Sequence, residues 1–291
     1  MDPVSLSLDL NHRYQGQCDR LNQLPGCNVT GRYQSTSLGP VWVMEAGPED
    51  APPLIALHGL HTPAPFNLEL LWPLTKHFRV ISPDIPGQAG KTPGIAPVPS
   101  NSAYAMWLDQ FLDALGVEQA PMVGLSFGGA VLLDLAAYKP ERISAASLIV
   151  PAGFSRPLWR PLKKLILPFI GFKIHTDQPH FDQLMKPLME DNWPELERYY
   201  YSTFQAGIPM TLIPPGPFSE ADLSRFKSPV QIFTASEDIY FDPDQLAEQA
   251  RESLPNLKQL KELEDLHIPC EENRRMIQEQ VVAFMLNETG M

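Results

Sequence analysis

A chain of 291 residues with 44% hydrophobic content is long enough to bury roughly three quarters of the surface its unfolded form exposes, so a full globular fold is expected. Its net charge of −12 speaks against a nucleic-acid partner and against general attraction to anionic membranes. Three cysteines, Cys18, Cys27 and Cys270, form no C-x-x-C pair, which speaks against a disulfide framework and against a zinc site.

The first residues, Met1 to Leu10, lack a basic segment leading into an apolar run, and no later stretch reaches the roughly 18 apolar residues of a membrane span. A cytoplasmic protein is therefore expected, in which the glycosylation patterns at Asn28 and Asn287 carry no meaning. Residues 1–30 show no clear periodicity and read as an arm or partial helix packed on the outside, with no function assigned.

Two strands are predicted at Arg32 to Leu38 and Val41 to Glu45, with Gly39-Pro40 as the hairpin turn. A buried strand at Leu54 to Leu57 ends in His58-Gly59-Leu60. Helical spacing follows over Asn67 to His77, interrupted by Pro73, then a strand over Phe78 to Ser82. The loop Asp84 to Thr92 contains glycines but lacks the G-K-[ST] ending of a phosphate-binding loop. A helix over Ser102 to Leu115 is expected to stop at Gly116.

The stretch Pro121 to Ala137 carries the most specific signal. An apolar run feeds Gly124-Leu125-Ser126-Phe127-Gly128 and then a helical Ala130 to Ala137. It reads as strand, sharp turn and helix, a geometry that pushes Ser126 into a strained conformation with its hydroxyl outward. The amide of Phe127 then stands at a helix N-terminus, where unpaired N–H groups favour developing negative charge. A strand over Ile143 to Val150 completes a strand–helix alternation that indicates a parallel sheet with helices on both faces.

From Pro151 to Phe226 the alternation stops, and proline and aromatic residues accumulate in what reads as a helical insertion that covers something. Within it, the segment from Arg156 to Lys173 combines five basic residues (Arg156, Arg160, Lys163, Lys164, Lys173) with an apolar stretch. Such a segment fits either an interfacial helix or a lid over a pocket, and the overall negative charge favours the lid. The sheet pattern resumes at Val230 to Thr234, with a helix near Asp244 to Leu254, a strand near Leu257 to Leu263, and a last helix from Glu271 to Leu286.

A serine hydroxyl is a weak nucleophile at neutral pH and needs a base, which in turn needs an acid to hold it. Two positions follow strands as such partners should: Asp238 in Ser236-Glu237-Asp238, and His267 in Asp265-Leu266-His267-Ile268-Pro269. Glu237 and Asp242 remain alternatives to Asp238 as the acid. His58 reads as a residue that fixes its loop by hydrogen bonding, His61 as solvated or lining a mouth, and Asp84 as structural. Nothing around Cys270 would depress its pKa.

The order Ser126, Asp238, His267, with the His58-Gly59 strand end, the Asp84 to Gly87 loop and the Gly124 to Gly128 elbow, resembles the α/β-hydrolase fold family over about residues 40 to 288. The nearest likeness is to bacterial carboxylesterases with a helical cap. Leu266, Ala235 and Gln88-Ala89 depart from residues common in that family, without removing a reacting group. The resemblance implies an α/β class with a mostly parallel, doubly wound sheet. It also implies an arm over 1–30, a core over 31–150 and 227–291, and a cap over 151–226. It implies a cofactor-free and metal-free serine hydrolase acting on small ester substrates, with Ser126 as nucleophile, His267 as base and Asp238 as acid. The amides of Leu60 and Phe127 would bind the oxyanion. The alternatives are carbon–carbon hydrolysis, a lyase or perhydrolase reaction, and a non-catalytic ligand-binding role.

Overall fold

The computed structural model describes residues 8–290 apart from 94–95, 101, 157–158, 191–192 and 208–210; the side chains of 159–162 also lie outside the description. The predicted arm thus begins outside the described residues.

In chain order the elements are α1 (Leu8–Leu21), β1 (Val29–Thr36), β2 (Gly39–Ala46), β3 (Pro53–Leu57), α2 (Ala64–Leu71), β4 (Arg79–Pro83), α3 (Ala103–Leu115), β5 (Ala120–Leu125), α4 (Phe127–Tyr138) and β6 (Ile143–Ile149). Four helices then intervene before the sheet resumes: α5 (Trp159–His175), α6 (Gln178–Met185), α7 (Pro194–Ala206) and the short α8 (Glu220–Leu223). β7 (Val230–Ala235), α9 (Pro243–Ser253), β8 (Leu257–Leu263) and α10 (Glu271–Thr289) complete the chain.

The eight strands form one sheet in the order β1-β2-β4-β3-β5-β6-β7-β8. β1 and β2 are antiparallel to their neighbours, and β3 to β8 run parallel. The central strands bury both faces, which is why Leu54–Leu57 reads as an unbroken apolar run rather than an alternating one; β7 is buried throughout as well, although Gln231 and Thr234 interrupt its apolar residues. One core layer gathers residues of α1, α2, α10 and the inserted α5, α6 and α7 on one face of the sheet; the other gathers α3, α4, α8 and α9 on the opposite face.

The chain winds from β3 outward to β4, then returns across β3 to lay down β5. Strand order therefore reverses between β3 and β5, and the carboxyl ends of these two strands carry Gly59-Leu60 and Ser126. Open α/β sheets bind ligands at such a point, because the diverging connections leave a crevice there.

Two expectations are corrected. The hairpin turns at Ser37-Leu38, not at Gly39-Pro40, since Thr36 pairs with Gly39 and the Thr36 hydroxyl closes the loop onto Gly39 O at 2.7 Å. Residues 8–21 are a full helix whose buried face is Leu10, Tyr14, Gln17, Cys18 and Leu21. That spacing is helical, but polar side chains stand on the buried face and hide the apolar signal.

Candidate active site

Ser126 joins β5 to α4 with φ 48° and ψ −108°, a conformation L-residues rarely adopt. The surrounding backbone holds it there. Its N–H donates to Ile149 O, and its own carbonyl accepts from the amides of Gly129, Ala130 and Ala152. Val150 also has a positive φ, 42°, where β6 turns to pass behind the serine.

The glycines of the elbow are required by close approach. A Cβ at Gly124 would meet Gly128 O and Gly129 Cα at 2.8 Å, and one at Gly128 would drive into the carbonyl of Leu57. Gly128→Ala must therefore push α4 away from the end of β3. Overpacking of this kind is expected to cost about 2–3 kcal/mol in a urea unfolding curve, and a change under about 0.5 kcal/mol would mean that the helix and strand are not in close register.

Ser126 Oγ lies 2.8 Å from His267 Nε2, and His267 Nδ1 lies 2.7 Å from Asp238 Oδ2. The side chains of Asp238 and His267 are 3% and 9% exposed, so this pairing is shielded from water. The other carboxylate oxygen of Asp238 accepts from the amides of Tyr240, at 2.7 Å, and Phe241, at 3.3 Å. Asp238 is thus clamped on both sides, which fixes the imidazole in the tautomer that carries its proton on Nδ1. Among the three acidic residues named from the sequence, the structure brings Asp238 to His267. Asp242 instead caps α9 by accepting from Gln245 N, and Glu237 is exposed.

The His267 turn is held from below and above. Asp265 accepts from the amides of Leu266 and Cys270 and from Asn273 Nδ2, and the amide of Ile268 donates to Leu188 O in the insertion. The edge of the Tyr240 ring faces His267, with centroids 4.7 Å apart.

At the end of β3, His58 is fully buried and tethers two loops. Its Nδ1–H donates to Gly59 O and its Nε2 accepts from Ile85 N at 2.8 Å. Burial pushes its pKa down to about 4, so the ring stays neutral and serves as a strut. Gly59 passes close enough that a Cβ on it would touch the Cβ of Ser126 at 3.5 Å. Among the described residues, neither the Leu60 nor the Phe127 amide meets an acceptor.

The loop after Leu60 is gripped by the insertion. The Tyr200 hydroxyl of α7 lies 2.7 Å from Thr62 Oγ1 and 3.4 Å from Leu60 O, and the His61 ring packs against Tyr200 and Phe204. Gln88 accepts from His61 N and donates to Thr211 O, tying the same loop to the segment beyond α7. Sequence reading passed over Thr62 and Tyr240 and gave no such role to Tyr200, one of the aromatics of the insertion, or to Gln88. Only the departure at Gln88 from the resembled pattern pointed toward that corner.

Beside this constellation opens a cavity of about 660 Å³. Ser126 and His267 stand in its wall with Leu60 and Phe127, and α5, α6 and α7 supply Leu165, Phe169, Leu184, Met185, Leu196 and Phe204. His61, set down for solvent or a mouth, is part of the lining, and burial lowers its pKa to about 4. Lys173 is the one Lys or Arg among the described lining residues, and its ammonium already donates to Phe204 O.

Asp84 stands outside the cavity. Its carboxylate accepts from Ala64 N, Lys91 N and the Tyr14 hydroxyl, joining α1, α2 and the loop after β4. Burial raises its pKa to about 6 against those donors. The three cysteines are free thiols, and burial raises the pKa of each, so none is activated as a nucleophile.

One cluster has metal-ligand chemistry. His175, Asp177 and His180 bring their ligand atoms within 4.8 Å where α5 meets α6. The two imidazoles stack at 4.2 Å and 15°, so their in-plane lone pairs do not converge on one point. Asp177 accepts from both the amide and Nδ1 of His180 as the cap of α6. That arrangement fits a helix cap better than a coordination sphere.

Comparison with known proteins places this geometry in context. A family profile described as the alpha/beta hydrolase fold matches residues 52–176. The chain is 26% identical over 278 residues to a Bacillus subtilis protein named uncharacterized carboxylesterase nap, covering 89% of this chain and 87% of that one. It is 40% identical over 114 residues, 36% of this chain and 38% of the other, to 2-hydroxymuconate semialdehyde hydrolase of a Pseudomonas species. Among solved structures, carboxylesterase CesB of Bacillus subtilis superposes with a TM-score of 0.79 at 23% identity, over 96% of this chain and 99% of that one.

Proposed function

We propose that this chain, which has the α/β-hydrolase fold, is a serine hydrolase that cleaves carboxylic esters through an acyl-enzyme intermediate. The observation that carries the reading is the Ser126–His267–Asp238 hydrogen-bond chain in the wall of an apolar cavity. The carboxylesterase names of similar proteins support the choice of bond.

In this reading the substrate carbonyl enters above Ser126. As Oγ attacks the carbonyl carbon, His267 Nε2 takes the hydroxyl proton, and Asp238 stabilises the imidazolium without accepting that proton. The oxyanion forms against the unpartnered amides of Leu60 and Phe127, the second of which stands at the N-terminus of α4. His267 returns the proton to the leaving alcohol as the tetrahedral intermediate collapses. A water molecule, deprotonated by the same imidazole, then releases the acid and restores Ser126.

Within residues 151–226, α5, α6 and α7 serve as a cap in this reading, because they roof the cavity and set what fits beneath, whereas α8 packs in the core layer on the other face of the sheet. The lining favours an apolar acyl or alcohol group of small to medium size. A substrate bearing carboxylates would need cationic partners, and among the described lining residues Lys173 is the one Lys or Arg that could supply one. This weighs against a carbon–carbon hydrolase acting on an anionic substrate.

A series of p-nitrophenyl esters from acetate to palmitate tests the assignment. Serine-dependent hydrolysis is expected, strongest for acyl chains that fill the cavity. Absence of such hydrolysis on every ester, in a protein that cleaves a β-diketone in a Ser126-dependent manner, would move the assignment to carbon–carbon bonds. A folded protein that also fails to react with a fluorophosphonate at Ser126 would leave only a binding role.

A further inference from the structure

α5 has a second apolar face, turned away from the cavity. Its inner side is anchored by Phe172, which is fully buried and packs on Phe181 and Tyr201. On the outer side Leu167, Ile170 and Ile174 fall at i, i+3 and i+7, one stripe of the helix, and are 75%, 48% and 70% exposed. The stripe runs into the entrance of the cavity, because Ile166, Phe169 and Leu212 line it and yet reach solvent. Single exposed apolar residues need no explanation, but a ridge continuous with the mouth of an apolar pocket does.

Charge separates this helix from the rest of the molecule. The 17 residues of α5 include Arg160, Lys163, Lys164 and Lys173 and no acidic residue, in a chain whose net charge is −12. A protein so charged is repelled by an anionic surface except where a local basic element faces it, so such a surface would select this orientation.

We propose that the outer face of α5 docks on a lipid surface bearing anionic headgroups, with its apolar stripe in the acyl boundary and Lys163 and Lys164 at the headgroups. The entrance of the cavity then opens onto the layer in which apolar esters dissolve. Docking stands independently of the hydrolase reading; the delivery of substrate rests on it.

The test is sedimentation of the full-length Ser126→Ala chain with vesicles of phosphatidylcholine alone or mixed with phosphatidylglycerol. Binding is expected to the mixed vesicles and to weaken with salt. The Leu167→Asp/Ile174→Asp variant should lose about tenfold or more in partitioning. Lys163→Gln and Lys164→Gln should each lose about fivefold. Built into the active chain, these substitutions should leave hydrolysis of a soluble short-chain ester unchanged, which also shows that the variants fold. Equal partitioning of parent and variants would overturn the proposal, as would a dimer in solution that Leu167→Asp dissociates. Vesicle binding by a chain without any esterase activity would sustain docking and remove the hydrolase reading alone.

Discussion

Ser126→Ala is expected to lower ester turnover by about a million-fold, measured as kcat on the best p-nitrophenyl ester. The loss is this large because Oγ is the reacting atom and His267 has no other hydroxyl to activate at 2.8 Å. Alanine keeps the Cβ, so the backbone at φ 48° carries the same strain and the fold should persist. The residual rate should still exceed the uncatalysed one, since the amides of Leu60 and Phe127 and the cavity itself are untouched. A variant within tenfold of the parent would place the nucleophile elsewhere.

Asp238→Asn is the second large effect, about ten-thousand-fold in kcat. The amides of Tyr240 and Phe241 donate to Oδ1, so the carboxamide oxygen of asparagine must take that position. Its NH2 group is then forced toward His267 Nδ1, where an N–H now stands. To avoid two opposed donors, the imidazole adopts the tautomer with its proton on Nε2 and can no longer accept from Ser126. Glu237→Gln and Asp242→Asn serve as comparators and should stay within a few-fold of the parent. A larger loss for Asp242→Asn than for Asp238→Asn would sink the assignment.

Much of this site was legible in the sequence because its demands are local. A serine between β5 and α4 needs glycine at 124 and 128, where any Cβ would strike backbone, and that requirement is written in five adjacent residues. The positions of Asp238 and His267 follow from the same logic, since side chains at the ends of β7 and β8 converge on the end of β5. Choosing among Glu237, Asp238 and Asp242 was beyond the sequence. It depends on which carboxylate the turn aims at the ring and which one caps α9. The sequence offered only an arm or partial helix where α1 runs in full, because Gln17 stands on its buried face, donating to Glu69, so its partner rather than its hydropathy explains its burial. The grip of Tyr200 on Thr62 joins residues 138 positions apart and left no local trace.

That grip also governs how α7 can move. At its middle Tyr200 holds the loop that carries Leu60, while in its first turn Glu195 pairs with Arg20 of α1. Trp193, just before the helix, donates to Glu69 of α2 and lies under Arg274 of α10. α7 and the residue before it are therefore fastened to four separate parts of the molecule, and tilting the helix would shift the amide of Leu60 that the proposed mechanism assigns to the oxyanion. An ester too bulky for the roof would then be held yet react slowly, its misfit read as a penalty on acylation rather than on affinity. In the proposed reaction, the size of what binds would thus be read at the bond that breaks.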